Sequence, residues 1–179
     1  MRPRETIERF DRFLAEQGLR FEAIVVGGAA LGLLGVVSRQ TRDCDVLQPR
    51  VPEDIRGAAA RFAAQERAAG RDLQDDWLND GPASLADVLP EGWQQRLQLV
   101  FRGQALVLHT LGRPDLLKAK LFALCDRATD LPDCVALAPT PEELEEAQPW
   151  LHEQDTNPEW PAHVDQVLAD LARRLGHGL

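Results

Sequence analysis

Residues 25–47 constrain the fold more than any other part of the sequence. They predict a β-strand, a turn at Gly27 and Gly28, a short helix of small residues, and a second strand carrying Asp43 and Asp45. Strand residues two apart project from the same face, so the two carboxylates are expected to converge. Glycine lets a backbone approach a ligand closely, and amides at a helix N-terminus suit a phosphate group. The segment is therefore the candidate functional site.

The two aspartates have two interpretations. Acidic residues are depleted in strands because burying an unpaired charge is costly, so a pair in one strand needs a reason. In the first interpretation they bind Mg²⁺, which bridges protein carboxylates and substrate phosphates. In the second they lie at a solvated strand end or pair with Arg39, Arg42 or Lys120. The glycine pair alone is equally compatible with a simple turn.

The order of predicted elements indicates an α/β (α+β) fold, a mixed sheet with flanking helices. We predict helices over residues 6–17, 29–35 and 53–67, strands over 21–26 and 43–47, a hairpin of 96–101 and 105–111, and further helices from Pro114. Residues 139–179 are expected to form a helical C-terminal extension on a domain of residues 1–138. The extension begins with a capping box, in which Thr140 caps the helix and Glu143 returns the bond.

The segment 70–92 is rich in Asp, Gly and Pro and is predicted to be a long loop. Loops of this length inside a domain are more often functional than idle. The four tryptophans of the sequence are expected to be packing residues, and Trp77, in this segment, is the one for which a position lining a pocket is the alternative. Asp80, in the same segment, is a candidate supporting residue.

Composition and patterning exclude several classes of protein. The net charge of −9 works against broad attraction to nucleic acid. Three cysteines without CxxC spacing favour reduced thiols, and we predict a cytoplasmic protein without a signal peptide or membrane span. The glycines do not match a dinucleotide fingerprint, no P-loop or GxSxG sequence is present, and the four histidines lack the spacing of a zinc site.

Lys120 shares the apolar face of the helix that follows the hairpin. A lysine in that position either neutralises phosphate charge or contacts aspartates. Asp130 and Asp133 follow at intervals that would let them orient it, although Asp130 is equally suited to capping the next helix.

Taken together, these residues resemble the minimal nucleotidyltransferase superfamily, which shares a DNA polymerase β-like palm. The resemblance is carried by Gly27 and Gly28, by TRDCD at residues 41–45, and by the helical sequence of residues 115–133. The sequence looks most similar to small bacterial nucleotidyltransferase-like proteins related to the abortive-infection toxins of type IV toxin–antitoxin systems. WLNDG at residues 77–81 and the helical C-terminus also resemble that group.

The resemblance implies a role for each matched residue. Gly27 and Gly28 would hold a triphosphate, with Arg39 and Thr41 as further nucleotide-binding candidates, and Asp43 and Asp45 would bind Mg²⁺ or Mn²⁺. Lys120 would match the family's lysine, which binds nucleotide and serves catalysis together with the two aspartates, and Asp133 would be the acid that follows it. In the family, a hydroxyl attacks the α-phosphorus of a nucleoside triphosphate and displaces pyrophosphate.

One feature departs from the family pattern. Active transferases often place a third carboxylate on the hairpin, and residues 96–101 contain none, so Asp76, Asp80 or Asp115 would have to take its place. The first hypothesis is therefore a metal-dependent nucleotidyltransferase acting on an RNA, protein or small-molecule hydroxyl. The alternative is a catalytically impaired nucleotide-binding module, or a toxin–antitoxin module that binds a cognate antitoxin-like protein.

Overall fold

The computed structural model describes residues 1–128 and 130–177. These residues divide into two units, one of residues 1–87 and 94–111 and one of residues 88–93 and 112–179. Residues 178 and 179 of the predicted extension lie outside the described residues. The boundary expected between residues 138 and 139 stays a prediction.

A five-stranded mixed sheet organises the first unit, which confirms the predicted fold class. Its order is β3-β2-β1-β5-β4, and β1 runs antiparallel to β2 and parallel to β5. The strands are β1 Phe21–Val26, β2 Cys44–Gln48, β3 Leu78–Asn79, β4 Gln98–Arg102 and β5 Leu106–Thr110. The predicted first strand is confirmed to the residue, and the predicted hairpin is formed by β4 and β5.

Three helices belong to the same unit, α1 Pro3–Glu16, α2 Gly27–Leu33 and α3 Glu53–Ala68. Apolar side chains of α1 and α3 meet those of the sheet in one hydrophobic core. Phe10 of α1 packs edge-on against Trp77, with their ring centroids 5.0 Å apart. Trp77 is fully buried and its indole N–H donates to the Ala59 carbonyl. The expectation that Trp77 is a packing residue is therefore confirmed, and the alternative that it lines a pocket is wrong.

The predicted loop of residues 70–92 is partly ordered into short elements. It contains β3 and a 3-10 segment, Gly81–Asp87, and a second 3-10 turn, Trp93–Arg96, follows. Two further boundaries differ from the prediction. The second strand begins at Cys44, so Asp43 precedes it, and α2 begins at Gly27, so the two glycines form its first turn. Convergence of the Asp43 and Asp45 carboxylates stays a prediction.

A buried carboxylate secures the turn between β4 and β5. Asp11 accepts hydrogen bonds from the backbone N–H groups of Gln104, Ala105 and Leu106, at 3.1, 2.9 and 2.8 Å. A Cβ on Gly103 would lie 2.2 Å from this carboxylate. Three N–H donors satisfy the negative charge of Asp11, which explains why an acidic residue is tolerated on the buried face of α1.

The second unit consists of α4 Arg113–Arg127, α5 Leu131–Leu137, α6 Pro141–His152 and α7 Trp160–Arg174. Phe122 of α4 packs against Trp150 and Trp160, each with ring centroids 6.2 Å away. The predicted capping box is present, since the Thr140 hydroxyl accepts from the Glu143 N–H and the Glu143 carboxylate accepts from the Thr140 N–H.

The helices of residues 1–128 and 130–177 include no candidate membrane span. Within these ranges, every helix is either too short or too polar to cross a bilayer.

Candidate functional site

Asp45 lies on β2, next to the edge strand β3 of the sheet in the first unit. It pairs with Val26 of β1 on one side and with Asn79 of β3 on the other. Its neighbours Cys44 and Val46 are fully buried in the core, and alternation along the strand therefore directs Asp45 to the opposite face. The Asn79 amide donates to Asp45 Oδ1 at 3.2 Å. The carboxylate is thus held by a neighbouring strand.

Gly27 brings the start of α2 against the Asp45 carboxylate. Its φ angle is +72°, and a Cβ placed on it would lie 2.5 Å from Asp45 Oδ2. The left-handed backbone and the close approach both require glycine here. The turn at Gly27 therefore lies in direct contact with the Asp45 carboxylate of β2.

Gly28 lies against two other candidate residues. A Cβ on it would lie 3.1 Å from the Thr41 hydroxyl and 3.9 Å from an Arg39 guanidinium nitrogen. The same hydroxyl donates to the Asp43 carbonyl oxygen at 3.2 Å, which fixes the chain just before β2. The structure therefore brings Gly28, Arg39, Thr41 and the Asp43 backbone together at the start of α2.

Cys44 lies between the two aspartates in sequence and is fully buried. Burial raises the pKa of its thiol far above the ordinary value, and the charges of Asp45 and Asp43 raise it further. The thiol is consequently protonated and unreactive at neutral pH. It packs in the core and is excluded as a nucleophile.

Asn79 is a residue of the site that the sequence did not single out. Its side-chain oxygen accepts from the Gly81 N–H at 2.9 Å, while its amide nitrogen binds Asp45. These two bonds orient the amide and, through it, the Asp45 carboxylate. In the sequence, only its place in WLNDG at residues 77–81 could have indicated that Asn79 belongs to the site.

Asp80 makes its contacts with the chain that follows β2. Its carboxylate accepts from the Val51 N–H at 3.1 Å and from the Arg56 guanidinium at 3.3 Å. Desolvation opposes ionisation of Asp80, but the Val51 hydrogen bond and the Arg56 charge outweigh it and lower the pKa of the carboxyl. These contacts stabilise the segment between β2 and α3.

Lys120 and Asp133 meet in the second unit. The Lys120 ammonium lies 2.7 Å from a carboxylate oxygen of Asp133 and 2.7 Å from one of Asp130. The exposed fraction of the Asp133 side chain is 3% and that of Lys120 is 11%. Burial opposes the charge on Lys120, yet the hydrogen bonds to the two carboxylates raise the pKa of its ammonium. The contact of these aspartates with the lysine, one of the alternatives that the sequence left open, is present.

The donor set around β2 suits a hard divalent cation. Mg²⁺ is typically held by one or two carboxylates together with substrate phosphates, without a complete protein cage. Asp43 and Asp45 supply carboxylate oxygens, and Asn79 holds one of the Asp45 oxygens by a hydrogen bond. Over residues 1–128 and 130–177, no group of three or more His, Cys, Asp or Glu side chains forms a closed metal site. Two carboxylates without a closed protein site are compatible with a cation that is also bound by substrate, and metal binding by Asp43 and Asp45 stays a prediction.

Comparison with known proteins gives one family match. The model of a family described as a nucleotidyltransferase of unknown function (DUF6036) matches residues 5–137. No curated protein and no solved structure matches the chain significantly. The family description mentions no toxin, and a link to abortive-infection toxins stays a prediction. Because the match covers more than half of the chain and includes Gly27, Gly28, Asp43 and Asp45, the protein belongs to this nucleotidyltransferase family.

Proposed function

We propose that the protein is a metal-dependent nucleotidyltransferase that moves a nucleoside monophosphate from a nucleoside triphosphate to a hydroxyl group. The observation that carries the proposal is the contact between the Gly27 backbone and the Asp45 carboxylate. It puts a candidate phosphate-binding turn and a candidate metal ligand side by side. Family membership supports the reaction class.

The residues of the first unit have separate roles in this proposal. Asp43 and Asp45 would hold Mg²⁺ or Mn²⁺, which supplies positive charge to the phosphates of the substrate. The first N–H groups of α2, at Gly27 and Gly28, lack acceptors within the helix and suit phosphate oxygens. Arg39, close to Gly28, adds positive charge on the same side. Positioning and charge neutralisation are what phosphoryl transfer requires of a protein.

Thr41 and Asp80 complete the proposed set in the first unit. The Thr41 hydroxyl holds the chain in front of Asp43 and lies against Gly28. Asp80 supports the site by fixing the segment after β2. Lys120 is proposed to bind the nucleotide on the strength of the resemblance, with Asp133 holding its ammonium.

The second candidate is a nucleotide-binding or toxin–antitoxin interaction module with impaired catalysis. The observation that favours it is the composition of β4, Gln98–Arg102, which contains no carboxylate to accept a proton from an incoming hydroxyl. A carboxamide such as that of Gln98 cannot take over this role at neutral pH. In this candidate the protein binds a nucleoside triphosphate and acts through a cytoplasmic protein partner.

A transfer assay distinguishes the two candidates. The protein is incubated with each of the four α-labelled nucleoside triphosphates and Mg²⁺, with total RNA, casein or the ultrafiltrate of a cell extract as acceptor. We expect labelled product from the wild type. Asp45→Asn should form at least about a hundredfold less, because the substitution removes a negative charge that would bind the cation. Asp75→Asn is the matched control, since Asp75 is an exposed carboxylate paired with Arg67.

Calorimetric titration with Mg²⁺ and nucleotide completes the test. Binding that Asp45→Asn weakens, without any labelled product, would favour the module over the enzyme. Equal labelling by the wild type and Asp45→Asn would contradict the assignment of Asp45.

A further inference from the structure

A cavity of about 820 Å³ opens on the sheet of the first unit. Ile24 of β1, Leu47 of β2 and Leu97 supply apolar surface, and Glu22 and His109 supply polar groups. All of its lining residues belong to the first unit. Its volume is within the range of about 300–1,000 Å³ that is usual for small-molecule sites.

The cavity lies on the face of the sheet that carries Asp45. The register of β1 and β2 shifts at Leu47, so alternation along β2 does not fix the face of this residue. Along β1, Ala23 and Val25 belong to the core, and Ile24 and Val26, the strand partner of Asp45, therefore project from the opposite face. The floor of the cavity and the candidate metal ligand are therefore continuous on one surface.

His109 is on the same face, one strand further along. It pairs with Ile24 across the parallel β1–β5 ladder, and its neighbour Leu108 is buried in the core. From strand spacing and rise, the Cα atoms of His109 and Asp45 are about 12 Å apart. Both side chains therefore project from the same face of the sheet.

Glu22 lies beside His109 at the cavity. The distance from His109 Nδ1 to a Glu22 carboxylate oxygen is 3.6 Å. The exposed fraction of the histidine side chain is 24% and that of the glutamate is 70%. This distance is longer than a hydrogen bond, so Glu22 acts on the ring through its charge, which favours a proton on Nδ1 and leaves Nε2 as the acceptor.

We propose that this cavity binds the acceptor, a small-molecule alcohol, and that His109 takes the proton from the attacking hydroxyl. The inference rests on the proposed function and supplies the proton acceptor that β4 lacks. An imidazole accepts a proton at neutral pH, which a carboxamide does not. Glu22 is a positioning residue whose charge favours this tautomer of the ring.

The step balances in atoms and charge. The acceptor oxygen forms a bond to the α-phosphorus, and its O–H proton moves to the unprotonated nitrogen of His109. The bond between the α-phosphorus and the bridging oxygen breaks, and pyrophosphate leaves with the electron pair. The product is the nucleoside monophosphate ester of the acceptor.

The chemistry of the cavity favours a small molecule over RNA. Arg50 and Asp87 also line it, so positive and negative groups are mixed within it. A groove for RNA would instead carry a row of positive charges, and the net charge of the chain is −9. Mixed charges around an apolar floor suit an uncharged or zwitterionic molecule with hydroxyl groups.

The test measures label transfer by the full chain with Mg²⁺ and the α-labelled nucleotides. The probes are the small-molecule ultrafiltrate of a cell extract, total RNA and casein. We expect the wild type to label a component of the ultrafiltrate, and His109→Gln to reduce the rate by about a hundredfold or more. Nucleotide binding by His109→Gln should remain as in the wild type. Added imidazole should restore part of the rate in His109→Ala.

His152→Gln is the matched control, because His152 is also a partly exposed histidine beside a carboxylate, at 2.6 Å from Asp165, but in the second unit. It should label at the wild-type rate. Glu22→Gln should lower kcat several-fold and leave the KM for nucleotide unchanged.

Each outcome bears on the inference. Label found in RNA or casein and not in the ultrafiltrate overturns it and leaves the proposed function standing. Equal rates for the wild type and His109→Gln also overturn the inference alone. Absence of product from the wild type with every probe overturns it together with the proposed function.

Discussion

Gly27→Ala provides a direct test of the geometry at the start of α2. Two effects add at this position. The φ angle of +72° is in the left-handed region, where a residue with a Cβ is strained by about 1–2 kcal/mol. The new methyl group would also lie 2.5 Å from Asp45 Oδ2, so the carboxylate must move. The substitution should therefore lower stability and displace a candidate metal ligand.

Gly18→Ala separates the two effects. Gly18 has a φ angle of +67°, and nothing lies within 4 Å of the position that a Cβ would occupy. The free energy of unfolding of Gly18→Ala should be lower by about 1–2 kcal/mol from backbone strain alone, which corresponds to a fall in Tm of about 2–8 °C for a chain of this size. Gly27→Ala should lose more than Gly18→Ala. It should also weaken the binding of Mg²⁺ and nucleotide, whereas Gly18→Ala should bind as the wild type does.

A double-mutant cycle with Asp45→Ala measures the contact itself. Once the Asp45 carboxylate is removed, Gly27→Ala should cost no more than Gly18→Ala, giving a coupling free energy of about 0.5–3 kcal/mol between the two sites. Thermal unfolding followed by circular dichroism gives the stabilities, and calorimetry gives the binding. If the two glycine variants lose the same stability and the cycle shows no coupling, the contact between Gly27 and Asp45 is refuted.

Two further predictions concern buried charges. Lys120→Met should lower the free energy of unfolding by about 3–5 kcal/mol in urea titrations, since it removes the ammonium from the buried Asp133 and the partly buried Asp130. Lys118→Met on the same helix should be nearly neutral. Because the pKa of Lys120 is raised, its contribution to the free energy of unfolding should be complete below its ordinary pKa of 10.5 and should decline as the pH rises through the raised value. If Lys120→Met is as stable as the wild type, the pairing is contradicted. The Arg71 hydrogen bond lowers the pKa of Glu66 and outweighs desolvation, which would raise this pKa. The stabilisation by the Glu66 carboxylate should therefore be complete above pH 4.5 and should decline as the pH falls through the lowered pKa. In Glu66→Gln, Tm should fall less on acidification than in the wild type. If Tm depends on pH in the same way in both proteins, the ion pair is contradicted.

Local patterns were sufficient for most elements of the fold. The strand of residues 21–26 has apolar residues bounded by Gly18 and Gly27, and both ends are confirmed. The capping box at Thr140 depends on two residues within one helical turn, and its reciprocal bonds are present. Where a structure is decided by neighbours in sequence, the sequence is enough to predict it.

Elements decided by a distant partner were missed. The two residues of β3 have no strand pattern of their own, and they are ordered by pairing with Cys44 and Asp45. Trp77 follows two aspartates in a segment that looks polar, which left a position lining a pocket open as an alternative, but Phe10 and Phe62 surround its ring in the core. The same pairing explains why Asn79 was overlooked, since an asparagine in an apparent loop has no evident function until β3 places it beside β2.

His109 shows why pairing register matters more than spacing for a site of this kind. In the sequence, the histidines could be compared only with the short intervals of zinc motifs, and His109 matches none of them. The parallel ladder between β1 and β5 sets Glu22 opposite Val107 and Ile24 opposite His109, so a glutamate and a histidine distant in sequence share a cavity. A shift of one residue in that ladder would turn His109 toward the core and remove it from the face that carries Asp45. The proton acceptor proposed for the reaction therefore depends on the register of β5, and substitutions that disturb this register should abolish transfer even when Asp45 and Gly27 are intact.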